Sequence, residues 1–276
     1  MSILRTENLE ACYEKKTVFQ DLNITIAEGK ITTIIGPNGC GKSTLLKAMG
    51  RILKQTHGKV FLQEQDMNTI STKEIAKRLS MLPQSPSAPG LLGVEELISY
   101  GRFPHRKNTK TMTKEDQEII EWAMEATKTL EFRNRSIASL SGGQRQKVWL
   151  AMALAQKTDI ILLDEPTTYL DMAHQLDVLQ TVKDLNRQQQ CTIVMVLHDI
   201  NHAARYSDII VAMKDGNIIK TGTPCDIIDQ DVLKEVFQIN ARIIIDPHDQ
   251  TPVCIGYSAE TARPEARSIR QGLGGR

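Results

Sequence analysis

Ile31-Thr-Thr-Ile-Ile-Gly36-Pro37-Asn38-Gly39-Cys40-Gly41-Lys42-Ser43-Thr44 is the stretch on which the fold turns. An apolar run of strand length leads into a glycine-rich loop, and Ser43 to Met49 has helical character. Gly36 to Ser43 fits G-x-x-x-x-G-K-[ST] without exception. Glycines let successive backbone N–H groups curl around phosphate oxygens, and the helix start behind them adds partial positive charge. Lys42 can then reach the β- and γ-phosphates of a nucleotide, and the Ser43 hydroxyl can ligate Mg²⁺. The competing reading is a glycine-rich turn opening an ordinary helix; the strand before and the helix after weigh against it. Cys40, beside a helix start, is expected to have a lowered thiol pKa and to be readily alkylated. A thiol shielded by packing is the alternative.

Working outward, residues 2–35 read as β-structure with a turn at Gly29-Lys30, and Val60–Leu62 and Ser80–Leu82 as further strands. Gln84 to Gly93, rich in Pro, Ser and Gly, is a loop and a lobe boundary. A helical segment follows to about residue 140. In it Thr113 and Asp116 have capping-box spacing, and Ile119, Ala123, Ala126 and Leu130 fall on one face. The basic scatter Arg102–Lys110 reads as a solvated face. Ser141 to Gln156 is a helix entered through two glycines. Ile160–Leu163 and Thr192–Leu197 are continuous apolar runs, as in central strands of a parallel sheet covered on both faces. Asp215-Gly216 signals a hairpin. From Tyr257 the tail has no periodicity and is expected to be disordered.

Two further motifs carry chemistry. Ile160-Ile-Leu-Leu-Asp164-Glu165 ends a buried strand in two carboxylates, at the sheet edge where α/β proteins put ligands. Asp164 would hold Mg²⁺, and Glu165 is the candidate base that orients or deprotonates an attacking water. Leu140-Ser141-Gly142-Gly143-Gln144 opens another helix and makes a second anion site, with Ser141 as cap and donor. Two such sites in one chain make sense if the second reaches the nucleotide of a neighbouring molecule.

The whole-chain balance excludes several classes. At 276 residues the chain is long enough for a large domain or for a core with a smaller lobe. A net charge of +1 and 4% aromatics argue against a nucleic-acid partner or an anionic bilayer. The 5 cysteines have no metal or redox spacing and read as free thiols. No signal peptide is evident, and no apolar run approaches the roughly 20 residues that span a bilayer.

With these motifs in place, the chain resembles the ATP-binding-cassette (ABC) ATPases over residues 3 to 250, and the LSGGQ signature at Leu140–Gln144 is far more specific than the phosphate loop. The resemblance implies a mixed α/β P-loop NTPase fold in residues 1–256. This has a parallel-sheet core, an N-terminal antiparallel β-piece and a helical lobe from about 88 to 155. It implies that Gly36 to Thr44 bind ATP, that Tyr13 stacks on adenine, and that Gln84 contacts Mg²⁺ with Ser43 and Asp164. It further implies that His198 contacts the γ-phosphate and that Asp171, in the D-loop, crosses a dimer interface. Tyr169 stands where many relatives have a small residue.

Two copies are expected to face head to tail, each ATP lying between Lys42 of one copy and Ser141–Gly143 of the other. Without fused membrane helices, a coiled-coil insert or a second cassette, the chain resembles a separate transporter subunit on the cytoplasmic face of the membrane. Its partners would be polytopic permease subunits and, indirectly, a substrate-binding lipoprotein. Gly93–His105 and Asp164–Gln175 are similar to ATPases that import ferric siderophores, and more loosely haem or cobalamin. A soluble non-transport ABC ATPase is the reading from another class.

Overall fold

The computed structural model describes residues 2–13, 16–106 and 112–259, with the side chain of Tyr13 outside that set. An antiparallel sheet is formed by β1 (Ser2–Tyr13), β2 (Lys16–Leu22), β3 (Thr25–Ala27), β5 (His57–Leu62) and β6 (Gln65–Asp66), with β1 at its centre. The core sheet runs β11-β10-β4-β9-β8-β7, with β4 (Ile31–Ile35), β7 (Leu79–Leu82), β8 (Ile160–Asp164), β9 (Thr192–Val196), β10 (Ile209–Lys214) and β11 (Asn217–Gly222). Five of these are parallel, and β11 returns antiparallel through the Asp215-Gly216 turn, where both residues have positive φ.

Alternation along the central strands divides the packing. Ile160, Leu162, Val194 and Val196 face α1 (Lys42–Met49) and the antiparallel sheet. Ile161, Leu163, Ile193 and Met195 face the opposite core. That second core takes in α3 (Val94–Ser99), α4 (Lys114–Ala126), α5 (Gly142–Ala155) and α6 (Met172–Gln189). The helical lobe therefore shares its core with the sheet. Short helices α2 (Thr72–Arg78), α7 (Ile200–Tyr206), α8 (Pro224–Ile227) and α9 (Gln230–Phe237) complete the set, followed by a ribbon of β12 (Ile239–Ile245) and β13 (Pro252–Ala259).

Three expectations are corrected. Strand β13 pairs with β12 as far as Ala259, so the ordered chain passes Tyr257, and residues 260–276 lie outside the described set. Helix α4 ends at Ala126 and buries Ile120, Ala123 and Met124, while Leu130 lies beyond it and is partly exposed. Arg102 is only 4% exposed, because its Nε donates to Asp116 at 2.8 Å and its Nη1 to the Ala155 carbonyl at 3.0 Å. Residues 107–110 of that basic segment lie outside the described residues. The Thr113–Asp116 capping box is present as expected.

Candidate active site

Four consecutive parallel strands, in the order β4-β9-β8-β7, deliver the expected groups to one carboxyl edge. The phosphate loop follows β4, His198 follows β9, Asp164 and Glu165 end β8, and Gln84 follows β7. They border a cavity of about 830 Å³, lined by Asn38, Gly39, Gly41, Lys42, Ser43, Thr44, Gln84, Glu165 and His198. Lys16, Thr17, Val18, Thr168, Asp215 and Gly216 complete the lining. Tyr13 ends β1 and pairs with Lys16 across the hairpin, which brings its backbone beside the lining residue Lys16.

The loop geometry depends on its glycines. Gly36 has φ 154°, and a Cβ there would lie 2.2 Å from the Met213 carbonyl oxygen, so no side chain fits. Lys42 Nζ donates to the carbonyls of Gly36 at 2.8 Å and Pro37 at 2.9 Å, which clamps the loop around its own ammonium. Burial lowers the pKa of that ammonium, against the pull of Cys40, Glu165 and Asp164. The amide of Gly216 donates to the Cys40 carbonyl at 3.0 Å, and a Cβ on Gly216 would meet the Val18 carbonyl at 2.3 Å. Cys40 itself is 3% exposed, and burial raises its thiol pKa more than Lys42 lowers it. The expected reactive cysteine is thereby corrected to a packed one: removal from water outweighs the helix start.

Asp164 is fully buried, and neither of its carboxylate oxygens has a hydrogen bond of ordinary geometry. Burial raises its pKa; the Ser43 hydroxyl is near enough to oppose that rise without closing a full bond. An orphaned buried carboxylate beside a hydroxyl is a donor set that a hard divalent cation satisfies. Glu165, at φ 51°, lies in left-handed backbone, which turns its side chain into the cavity. Its Oε2 accepts from Gln84 Nε2 at 2.6 Å and from the Thr168 hydroxyl at 2.9 Å, and its Oε1 pairs with His198 Nε2 at 2.6 Å. Sequence reasoning found three members of this cluster and missed Thr168, whose only signal is its position three residues after Glu165.

The signature residues do not join this cavity within one chain. Ser141 caps α5, accepting from the Gln144 amide at 3.3 Å, while Gln144 Oε1 accepts from the Ser141 amide at 3.1 Å. Leu140 is buried beneath them, and Gly142 and Gly143 form the first turn of the helix. Asp171 caps α6 with its side chain exposed.

A phosphate loop, a buried carboxylate pair and a histidine bonded to one of them, all on one parallel-sheet edge, define a nucleotide hydrolase of the cassette type. The chain belongs to the ABC transporter family, whose model matches residues 19–168. It is 53% identical over 257 residues to the iron(3+)-hydroxamate import ATP-binding protein FhuC of Bacillus subtilis, covering 93% of this chain and 96% of that protein. It is 42% identical over 252 residues to the ferric enterobactin transport ATP-binding protein FepC of Escherichia coli, covering 91% and 93% respectively. Among solved structures it resembles an inward-facing putative metal-chelate type ABC transporter, with TM-score 0.78, 28% identity, and coverage of 93% of this chain and 98% of that one. The dimeric cassette MJ0796 superposes with TM-score 0.71 at 30% identity, covering 80% and 98%.

Proposed function

We propose that this chain is the ATP-hydrolysing subunit of a membrane importer of ferric siderophores, working as a head-to-tail pair on the cytoplasmic face of the membrane. The observation that carries the ATPase reading is Glu165, oriented by Gln84, Thr168 and His198 beside the clamped Lys42. The cargo reading is supported by the import systems for which the similar proteins are named. No helix among the described residues is long and apolar enough to cross a membrane, so the translocation path would belong to permease partners. Leu91 on the loop after Gln84 is 97% exposed, and Tyr100 and Phe103 are also exposed; they offer apolar surface to such a partner.

Backbone amides of the Gly36–Thr44 loop and the Lys42 ammonium would bind the ATP phosphates, with Tyr13 stacking on adenine. Ser43, Asp164 and Gln84 would hold Mg²⁺, which neutralises phosphate charge when bound. Glu165 takes the proton of the attacking water, and His198, sharing its carboxylate, stands toward the γ-phosphate. Ser141–Gly143 and Asp171 of the second copy would close the site, and its reopening after hydrolysis supplies the stroke.

Glu165→Gln keeps the size of the side chain and an oxygen for Gln84 and Thr168, but cannot accept a proton. Turnover should fall about 10²–10⁴-fold with ATP affinity retained, and a two-chain, two-ATP species should accumulate. Cells dependent on this chain should then lose uptake of ⁵⁵Fe-hydroxamate while retaining uptake of unchelated iron. Near wild-type turnover in that variant would remove Glu165 as the base, and undiminished ⁵⁵Fe uptake would remove the cargo assignment.

A further inference from the structure

We propose that His174 is a positioning residue that locks each chain's D-loop to its own signature helix. Resting on the head-to-tail pair proposed above, this makes the two elements that reach across to the partner move as one piece. Asp171 accepts from the His174 amide at 2.9 Å, and both of its carboxylate oxygens lie 2.8 Å from His174 Nδ1. An ionised carboxylate only accepts, so Nδ1 carries the hydrogen and the ring is held in one orientation. So oriented, the ring lies on Gly143. A Cβ at that glycine would come within 2.5 Å of His174 Cδ2 and 2.8 Å of Cγ. Any side chain at Gly143 would thus displace the ring, a contact inside its own chain and apart from any phosphate the glycine meets in the partner.

A second contact runs beside the first. One turn along the same two helices, Lys147 Nζ binds Asp177 Oδ2 at 2.7 Å. Positions 143 and 147 on α5, and 174 and 177 on α6, are one helical turn apart, so both contacts lie along facing stripes. The ion pair is partly exposed and screened by water, whereas the ring contact lies at the helix starts, next to the residues that would cross the interface. With the ring gone, the signature turn and Asp171 could approach the partner separately, and closure would no longer set both at once.

The test compares turnover and ATP affinity for wild type, His174→Ala, Asp171→Ala and the double variant. Each single change should lower turnover about tenfold, the scale of a residue that transmits coupling, with ATP affinity at the Lys42 loop unchanged. The double variant should be no slower than the slower single one, because groups acting as a unit are not additive. His174→Asn keeps a donor for Asp171 without a ring, and His174→Phe keeps the ring without the donor; both should stay below wild type. Lys147→Ala should lower thermal stability and leave turnover intact. Turnover of His174→Ala within about twofold of wild type, losses that multiply in the double variant, full recovery by either His174→Asn or His174→Phe, or an equal loss in Lys147→Ala overturns the proposal. The shared-site reading fails by a different result that does not involve His174: a Glu165→Gln chain that binds ATP and never pairs.

Discussion

Cys40 lies in the phosphate loop with its sulfur 4.0 Å from Lys42 Nζ, yet it is closed off from solvent. Its thiol is held up by burial, while Cys225 is exposed. A maleimide should therefore label Cys225 at once and leave Cys40 unmodified until the chain unfolds, as peptide mapping of the alkylated protein will show. Rapid labelling of Cys40 in native protein would contradict the packing described for the loop. The same residue marks the limit of what one sequence discloses. Lys42, Ser43 and Asp164 were legible because a local pattern fixes their backbone and therefore their chemistry. Burial of Cys40 depends on what other segments lay over the loop. The bonds converging on Glu165 likewise depend on its left-handed backbone, which its residue type does not announce.

Within the helical lobe, Asp116 serves two elements. It completes the capping box of α4, and its other oxygen holds the buried Arg102, which also binds the end of α5. Burial alone would raise the Asp116 carboxyl, but Arg102 and the Thr113 amide and hydroxyl outweigh it and hold it below the usual carboxylate value. Asp116→Ala strips the cap and leaves a buried guanidinium without its counter-charge, a change that costs about 3–5 kcal/mol. In a chain of this size the melting temperature should drop by roughly 10 °C at neutral pH. A depressed carboxylate stabilises fully above its unfolded pKa of about 3.9, and that contribution disappears as pH falls through the lower folded value. The gap in melting temperature between wild type and variant should accordingly shrink below about pH 4, and a gap independent of pH would refute the assignment. The capping box was readable from Thr113 and Asp116 alone. Their partner Arg102 was not, since it reaches Asp116 through a turn of 3-10 helix at Tyr100–His105 that carries no hydrophobic period.

Across the molecule, the helical lobe and one face of the core sheet share a single apolar cluster. Both tryptophans belong to the lobe: Trp149 in α5 is buried, and Trp122 in α4 packs against the cluster with Lys157 Nζ 4.0 Å from its ring centroid. Tryptophan emission therefore reports on the lobe, and far-ultraviolet circular dichroism on the whole chain. With one core joining them, the two signals should give coincident thermal midpoints, and a lobe that melts earlier would show that the core is divided. A parallel sheet carrying Lys42, Asp164 and His198 followed from the motifs, whereas the order of its strands is set by pairing between distant segments. That β-structure runs past Tyr257 to Ala259 did not follow from them, because β13 is fixed by pairing with β12 and not by its own pattern.

The turn at Asp215-Gly216 touches three separate stretches of chain. The Gly216 amide holds the phosphate loop at Cys40, and its missing side chain admits the Val18 carbonyl, while the Val18 methyl would lie 3.0 Å from a Cβ on Gly41. The turn thus acts as a caliper, setting the span between β2 and the phosphate loop without contributing a reactive group. Any side chain at Gly216 would pry that span open, and a screen that scored activity alone would misfile this mechanical position among the chemical ones.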